Sequence, residues 1–235
     1  KIAVRNRNGE STSITAEILE KNEEGHANVR FEGTNNFLSD LENIGEMPLP
    51  PYIQRDSYSQ NKEDTERYQT VYAKPAGSIA APTAGLHFTK TLLDQLRVTG
   101  VEIHTLTLHV GLGTFAPVKS NEIRSHELHT ESFELSASTA KAINQAKAEG
   151  RRIVAVGTTS VRVLETVALN SPSLTATTGT TNIFIYPPRE FKVVDALITN
   201  FHLPQSTLLM LISAFSAPGQ LNGREWIINI YEEAI

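Results

Sequence analysis

Side chains able to move a proton or hold a charged ligand gather at three points of this sequence, each just after an apolar run. Thr199, Asn200 and His202 follow Ala196-Leu-Ile198. Thr158, Thr159 and Ser160 follow Arg151-Arg-Ile-Val-Ala-Val-Gly157. His109, with Gly111, Gly113 and Thr114 behind it, closes Val101-Glu-Ile-His-Thr-Leu-Thr-Leu-His109. A histidine titrates close to neutrality and suits proton transfer. An asparagine both donates and accepts hydrogen bonds. Hydroxyls at a helix start, together with free backbone N–H groups, suit an anion, although plain helix capping uses the same residues and is compatible with it.

The elements that must position these groups follow from local pattern. Ala196–Ile198 reads as a short buried strand. Pro204 then breaks the chain, and Ser206 is a good N-cap for a helix over Thr207–Phe215. Upstream, the spacing predicts a strand over 151–157, a polar turn over 158–160 and a helix over Val161–Ala168. Residues 101–109 read as a further strand. Open α/β sheets place ligands at the carboxyl ends of their strands, so one shared pocket at these ends is expected. It would include the turn Ala81-Pro-Thr-Ala-Gly-Leu-His-Phe88, whose small residues permit close approach and which carries His87.

Bulk properties narrow the classes. At 235 residues the chain can bury a substantial core, and its composition is that of a globular protein. Net charge is −5, so no overall basic field draws in nucleic acid and such a partner must use a local patch. Lys141, Lys147, Arg151 and Arg152 form the best basic group, which is also readable as a solvated helix face. There is no cysteine, which removes thiolate chemistry and fits a reducing cytoplasm. No apolar run reaches the roughly 20 residues of a membrane span. The start at Lys1 and the stop in a helical pattern at Ile235 suggest part of a longer protein.

In chain order, Thr12–Leu19 and His26–Phe31 flank a turn and predict a hairpin. Phe37, Leu38, Leu41 and Ile44 share a helical face closed by Gly45. The prolines of Met47–Tyr52 require an extended connection, taken as the domain boundary. Residues 54–66 read as a mobile surface loop. Thr89 can cap a helix over Lys90–Arg97, and an Ala- and Lys-rich helix is expected over Ser138–Glu149. Strand, loop and helix then alternate, which predicts a layered α/β domain with mostly parallel strands.

Five stretches together resemble one known family: Glu46-Met-Pro-Leu-Pro-Pro-Tyr-Ile53; Tyr68-Gln-Thr-Val-Tyr72 with Ala81–Phe88; His109-Val-Gly-Leu-Gly-Thr-Phe115; Gly157-Thr-Thr-Ser160; and Leu197-Ile-Thr-Asn-Phe-His-Leu-Pro204. They are similar to the S-adenosylmethionine:tRNA ribosyltransferase-isomerases of queuosine biosynthesis, over about residues 37–215. The resemblance implies that residues 1–46 are part of a smaller β-barrel domain and 47–235 an α/β catalytic domain. Two departures stand out: Ala116 occupies a position where the family usually has Arg, and Ser216–Trp226 is longer than the usual connection.

The activity implied moves the ribosyl part of S-adenosylmethionine onto the aminomethyl-deazaguanine wobble base of tRNA, giving epoxyqueuosine with loss of adenine and methionine. S-adenosylmethionine is then a co-substrate and no further cofactor or metal is expected. tRNA, through its anticodon region, is the partner, no membrane is involved, and a cytoplasmic monomer is expected. The chemistry requires a base for the carbon beside the sulfonium and an acid for departing adenine. The candidates are His87, His109, His202 and Glu127. Gly111, Gly113, Thr114, Thr158, Thr159, Ser160 and Asn200 are the candidates for holding the co-substrate. Phe88, Phe115 and Phe201 can stack on adenine or face the sulfonium, or can belong to the core. Two readings from other classes stand beside this one: a tRNA-binding module without catalysis, and a metal-dependent hydrolase using His126, His129 and Glu131.

Overall fold

The computed structural model describes residues 1–6, 8–22, 26–45, 49–50, 53, 62–111, 128–169, 171 and 173–234. Among these the chain forms mixed α/β structure in two compact units, Lys1–Tyr68 and Gln69–Ile235.

In the first unit, period-2 alternation and β-branched residues produce β1 (Ile2–Arg5), β2 (Ser11–Lys21) and β3 (Ala27–Glu32). They form one antiparallel sheet in the order β1-β2-β3, so the hairpin expected from the sequence is present. Helix α1 (Phe37–Ile44) follows, with Asn36 as N-cap accepting from the Ser39 N–H, and Phe37 stacks on Phe31 at 4.2 Å. Gly45 ends it in extended rather than left-handed geometry. The prolines of Met47–Tyr52 lie largely outside the described residues. The predicted loop over 54–66 is corrected at its end. Lys62–Arg67 is helix α2, built from helix-forming residues with no glycine or proline to interrupt them.

The second unit holds the main core. Leu135, Ala155, Val161, Leu164, Ile185, Val193, Leu211, Ile212 and Ala214 are all buried in it. A single 3₁₀ turn, Thr83–His87, precedes α3 (Lys90–Val98), which Thr89 caps as expected by accepting from the Leu92 N–H. β4 is only Thr107–His109 rather than the whole of 101–109, because only these residues find a partner. That partner is β5 (Glu131–Leu135), which pairs in turn with β7 (Thr177–Thr181), both antiparallel. Helix α4 (Ala137–Ala148) is capped by Ser136.

β6 (Val154–Val156), α5 (Thr158–Val167) and β8 (Ala196–Ile198) form the expected strand–helix–strand arrangement, with β6 and β8 parallel. The parallel register expected for most strands is thus found in this pair alone among the described pairs. Strands β4, β5 and β7 reverse direction at each step, which suits direct lateral pairing. Helix α6 (Thr207–Ser216) carries the Ser206 cap and packs against α7 (Gly223–Ala234). No helix among the described residues is long and apolar enough to cross a membrane.

Candidate active site

The parallel register of β6 and β8 carries both strands to the same end. There the Gly157 N–H donates to the Ile198 carbonyl at 2.8 Å, so the Gly157 turn and Thr199 are neighbours. Gly157 sits at φ +85, a conformation that favours glycine, and a Cβ there would lie 3.2 Å from Thr159 Oγ1. The predicted polar turn 158–160 is instead the first turn of α5, whose N-cap is Gly157. No side chain caps that first turn, and within it the Ser160 N–H donates to the Gly157 carbonyl at 3.1 Å. Thr158 is buried, Ser160 donates back to the Val156 carbonyl at 2.8 Å, and Thr159 is half-buried. Pro82, from the small-residue turn, lies 3.9 Å from the Cβ position of Gly157, which brings that turn to the same strand end.

His202 is fixed from two sides. Its Nε2 lies 3.2 Å from Thr199 Oγ1, and its backbone N–H donates to the Tyr231 hydroxyl at 2.9 Å. Tyr231 also meets Phe201 edge-on at 4.8 Å, leaving Phe201 60% exposed rather than in the core. Burial lowers the His202 pKa to about 4, so the imidazole is neutral at pH 7. Asn200 is half-buried between Thr199 and Phe201 in sequence.

His109 ends β4 in the other sheet of this unit. Residues 77–79 run beside it: Ser78 Oγ accepts from the Val110 N–H at 3.2 Å, and the Ile79 N–H donates to the Val110 carbonyl. Gly77, at φ +129, approaches the His109 ring closely, and a Cβ there would stand 3.1 Å from Nδ1. Gly111 donates to Glu131 Oε1 at 3.4 Å. His87 is exposed at the end of the 3₁₀ turn, and no described hydrogen bond joins it to His109 or His202. Gly113, Thr114, Phe115, Ala116, His126 and Glu127 lie outside the described residues.

Glu131, read from the sequence as a metal-ligand candidate, and two residues that pattern reading missed, Arg162 and Glu165, complete this region. Glu131, on β5, is buried and ion-paired with Arg162 of α5, itself buried. Glu131 is therefore a structural and electrostatic partner of α5. Among the described residues no three His, Asp or Glu side chains gather as metal ligands. Glu165, one turn further along α5, is fully buried and accepts the N–H groups of Lys192, Val193 and Val194. An acidic residue in the apolar stripe of a predicted helix is the signal that marks Glu165, since a buried carboxylate requires donors. The basic group is partly spent: Arg151 binds Glu102 at 2.9 Å and Glu149 at 2.6 Å, and Lys147 bonds the Lys192 carbonyl.

Comparison with known proteins gives this arrangement a family. A model described as queuosine biosynthesis protein matches residues 1–235. The S-adenosylmethionine:tRNA ribosyltransferase-isomerase of Natranaerobius thermophilus is 52% identical over 223 residues, covering 95% of this chain and 62% of that protein. The enzyme of the same name from Trichlorobacter lovleyi is 49% identical, covering 94% of this chain and 62% of its own length. The crystal structure of S-adenosylmethionine tRNA ribosyltransferase from Thermotoga maritima aligns with TM-score 0.51 at 30% identity, covering 98% of this chain and 60% of that one. The chain thus spans less than two thirds of the length of these relatives. Matched throughout residues 1–235, it belongs to the queuosine biosynthesis protein family.

Proposed function

We propose that this chain carries out the reaction for which its relatives are named. It transfers and isomerises the ribosyl moiety of S-adenosylmethionine onto the aminomethyl-deazaguanine wobble base of tRNA. Epoxyqueuosine is formed, and adenine and methionine leave. The observation that carries this reading is the neutral, half-buried His202, held at the shared end of β6 and β8 beside the Gly157 turn.

Three tasks fall to the chain's residues. His202, neutral at pH 7 because burial lowers its pKa to about 4, is a weak base at rest. Its place at the shared strand end is what assigns it to proton transfer in this reaction, with the positive sulfonium acidifying the carbon beside it. His109, His87 and Glu127 are the further candidates for proton transfer. Thr158, Thr159, Ser160, Asn200, Gly111, Gly113 and Thr114 hold the co-substrate, with Phe201 as an exposed aromatic face for a nucleobase. Holding the tRNA amine in line contributes several kcal/mol through orientation alone. We assign residues 1–46 to a β-barrel domain and 47–235 to a layered α/β domain. The protein acts as a cytoplasmic monomer on the anticodon region of tRNA, with no cofactor beyond the co-substrate.

The test is to incubate the full chain with S-adenosylmethionine and precursor tRNA and to follow adenine by chromatography. Adenine and methionine released in step with modified tRNA are expected. Release of S-adenosylhomocysteine instead, the mark of methyl transfer, overturns the reading.

A further inference from the structure

A small cavity of about 30 Å³ lies beside the Glu131–Arg162 pair, with Thr207, Leu208, Leu211 and Phe184 among its lining. Three features give it a defined chemistry. Arg162 is buried at 8% exposure, and among the described residues its Nε finds no acceptor, although one of its amino groups is bonded to Glu131. A buried guanidinium with an unused donor is costly unless an acceptor arrives. Thr207 and Leu208, the first residues of α6, have backbone N–H groups without intrahelical acceptors, and the helix dipole adds positive potential there. Glu131, finally, places a buried carboxylate on the same cavity.

Arg162 and the α6 amino terminus call for an anion, whereas Glu131 would repel a plain one. A zwitterion resolves the conflict. We propose that this cavity receives the amino-acid end of S-adenosylmethionine, its α-carboxylate on Arg162 Nε and the α6 amino terminus, its α-ammonium on Glu131. The cavity is far too small for a whole nucleoside, and Leu208, Leu211 and Phe184 on its wall suit the methylene and sulfur atoms that follow an amino-acid end. This inference rests on the function proposed above and names the subsite that anchors its co-substrate.

The test uses titration calorimetry on the full chain with S-adenosylhomocysteine and with its decarboxylated counterpart. The parent protein should bind the intact ligand at least ~10-fold tighter, the scale of a charge-assisted hydrogen bond. Arg162→Lys keeps the charge but loses the Nε donor, and should reduce that preference to within ~3-fold. Leu208→Trp fills the cavity without touching the ion pair; it should weaken the intact ligand by ~10-fold and leave the decarboxylated one unchanged. Millimolar inorganic phosphate should not compete.

Binding of neither ligand by the parent overturns the proposed function itself. Equal binding of both, or a preference unchanged in the variants, overturns only the subsite. Displacement by phosphate replaces the amino-acid assignment with a simple anion site. If Arg162→Lys fails to fold, Leu208→Trp decides alone.

Discussion

Helix α5 presents two buried acids' environments one turn apart, and they differ in what is left over. Glu165 spends its carboxylate on the backbone: Lys192, Val193 and Val194 all donate to it, at 3.0 to 3.3 Å. The Lys192 ammonium then bonds the Ala168 and Leu169 carbonyls at the far end of the helix. Glu131 instead pairs with a side chain, Arg162, which keeps an unused donor on an open cavity. Both acids are almost fully buried, at 0% and 4% exposure. Burial of charge therefore does not separate a fastening from a binding site. Unused hydrogen-bonding capacity does.

The contrast is broken most easily at Glu165. Glu165→Ala strands three backbone donors, each costing about 1–3 kcal/mol, so a loss of about 4 kcal/mol or more is expected in urea denaturation. Retention of stability within about 1 kcal/mol would remove the distinction. Glu165→Gln keeps one acceptor and should cost roughly half as much.

His202 extends the comparison to a titrating group. Its pKa falls from 6.5 unfolded to about 4 folded, so the unfolded chain binds the proton first. Stability should be complete above pH 6.5, fall as pH drops towards 4, and lose nothing further from this group below that. The full loss is at most about 3 kcal/mol, less in proportion to the ring's partial exposure. His202→Gln should flatten denaturation midpoints over that window, and adenine release should drop by ~10²-fold or more. An unchanged pH profile and unchanged turnover would make the histidine structural.

Replacing both partners of the side-chain pair sharpens the difference. Glu131→Leu with Arg162→Met should keep stability within about 2 kcal/mol of the parent, because the two charges leave together and the lost Gly111 N–H bond to Glu131 is long and weak. No second substitution can rescue Glu165, whose partners are main chain. The smallest effect belongs to the surface: Asp94→Ala removes an exposed pair with Arg97 and should change stability by no more than about 0.5 kcal/mol.

Where one residue type decides a feature locally, the sequence is legible. Thr89 and Ser206 announce their helices, and Ala196–Ile198 announces β8, because a cap or an apolar run needs no distant information. β5 and β7 are not legible in the same way. β5 carries Glu131 at an inward position where an apolar residue would complete the alternation, and its partner Arg162 is 31 residues away. β7 reads Thr-Thr-Gly-Thr-Thr and has no apolar alternation at all. The start of α5 is hidden for a different reason: its N-cap is a glycine, so Thr158–Ser160 resemble a turn. At the site, the histidines can be named from the sequence. The neutrality of His202 cannot, since it depends on burial by residues remote in the chain.

The pairing of β6 with β8 also orders events in time. Ile153 and Asp195, which clamp the start of that pair, are 42 residues apart, and everything between them must emerge from the ribosome first. Closing so long a loop costs chain entropy before the two strands reward it. The Gly157 turn and Thr199 therefore become neighbours only after β8 exists. A growing chain that ends between residues 202 and 231 still lacks the Tyr231 hydroxyl that holds the His202 N–H. The placement of His202 beside the Gly157 turn is thus a late product of synthesis.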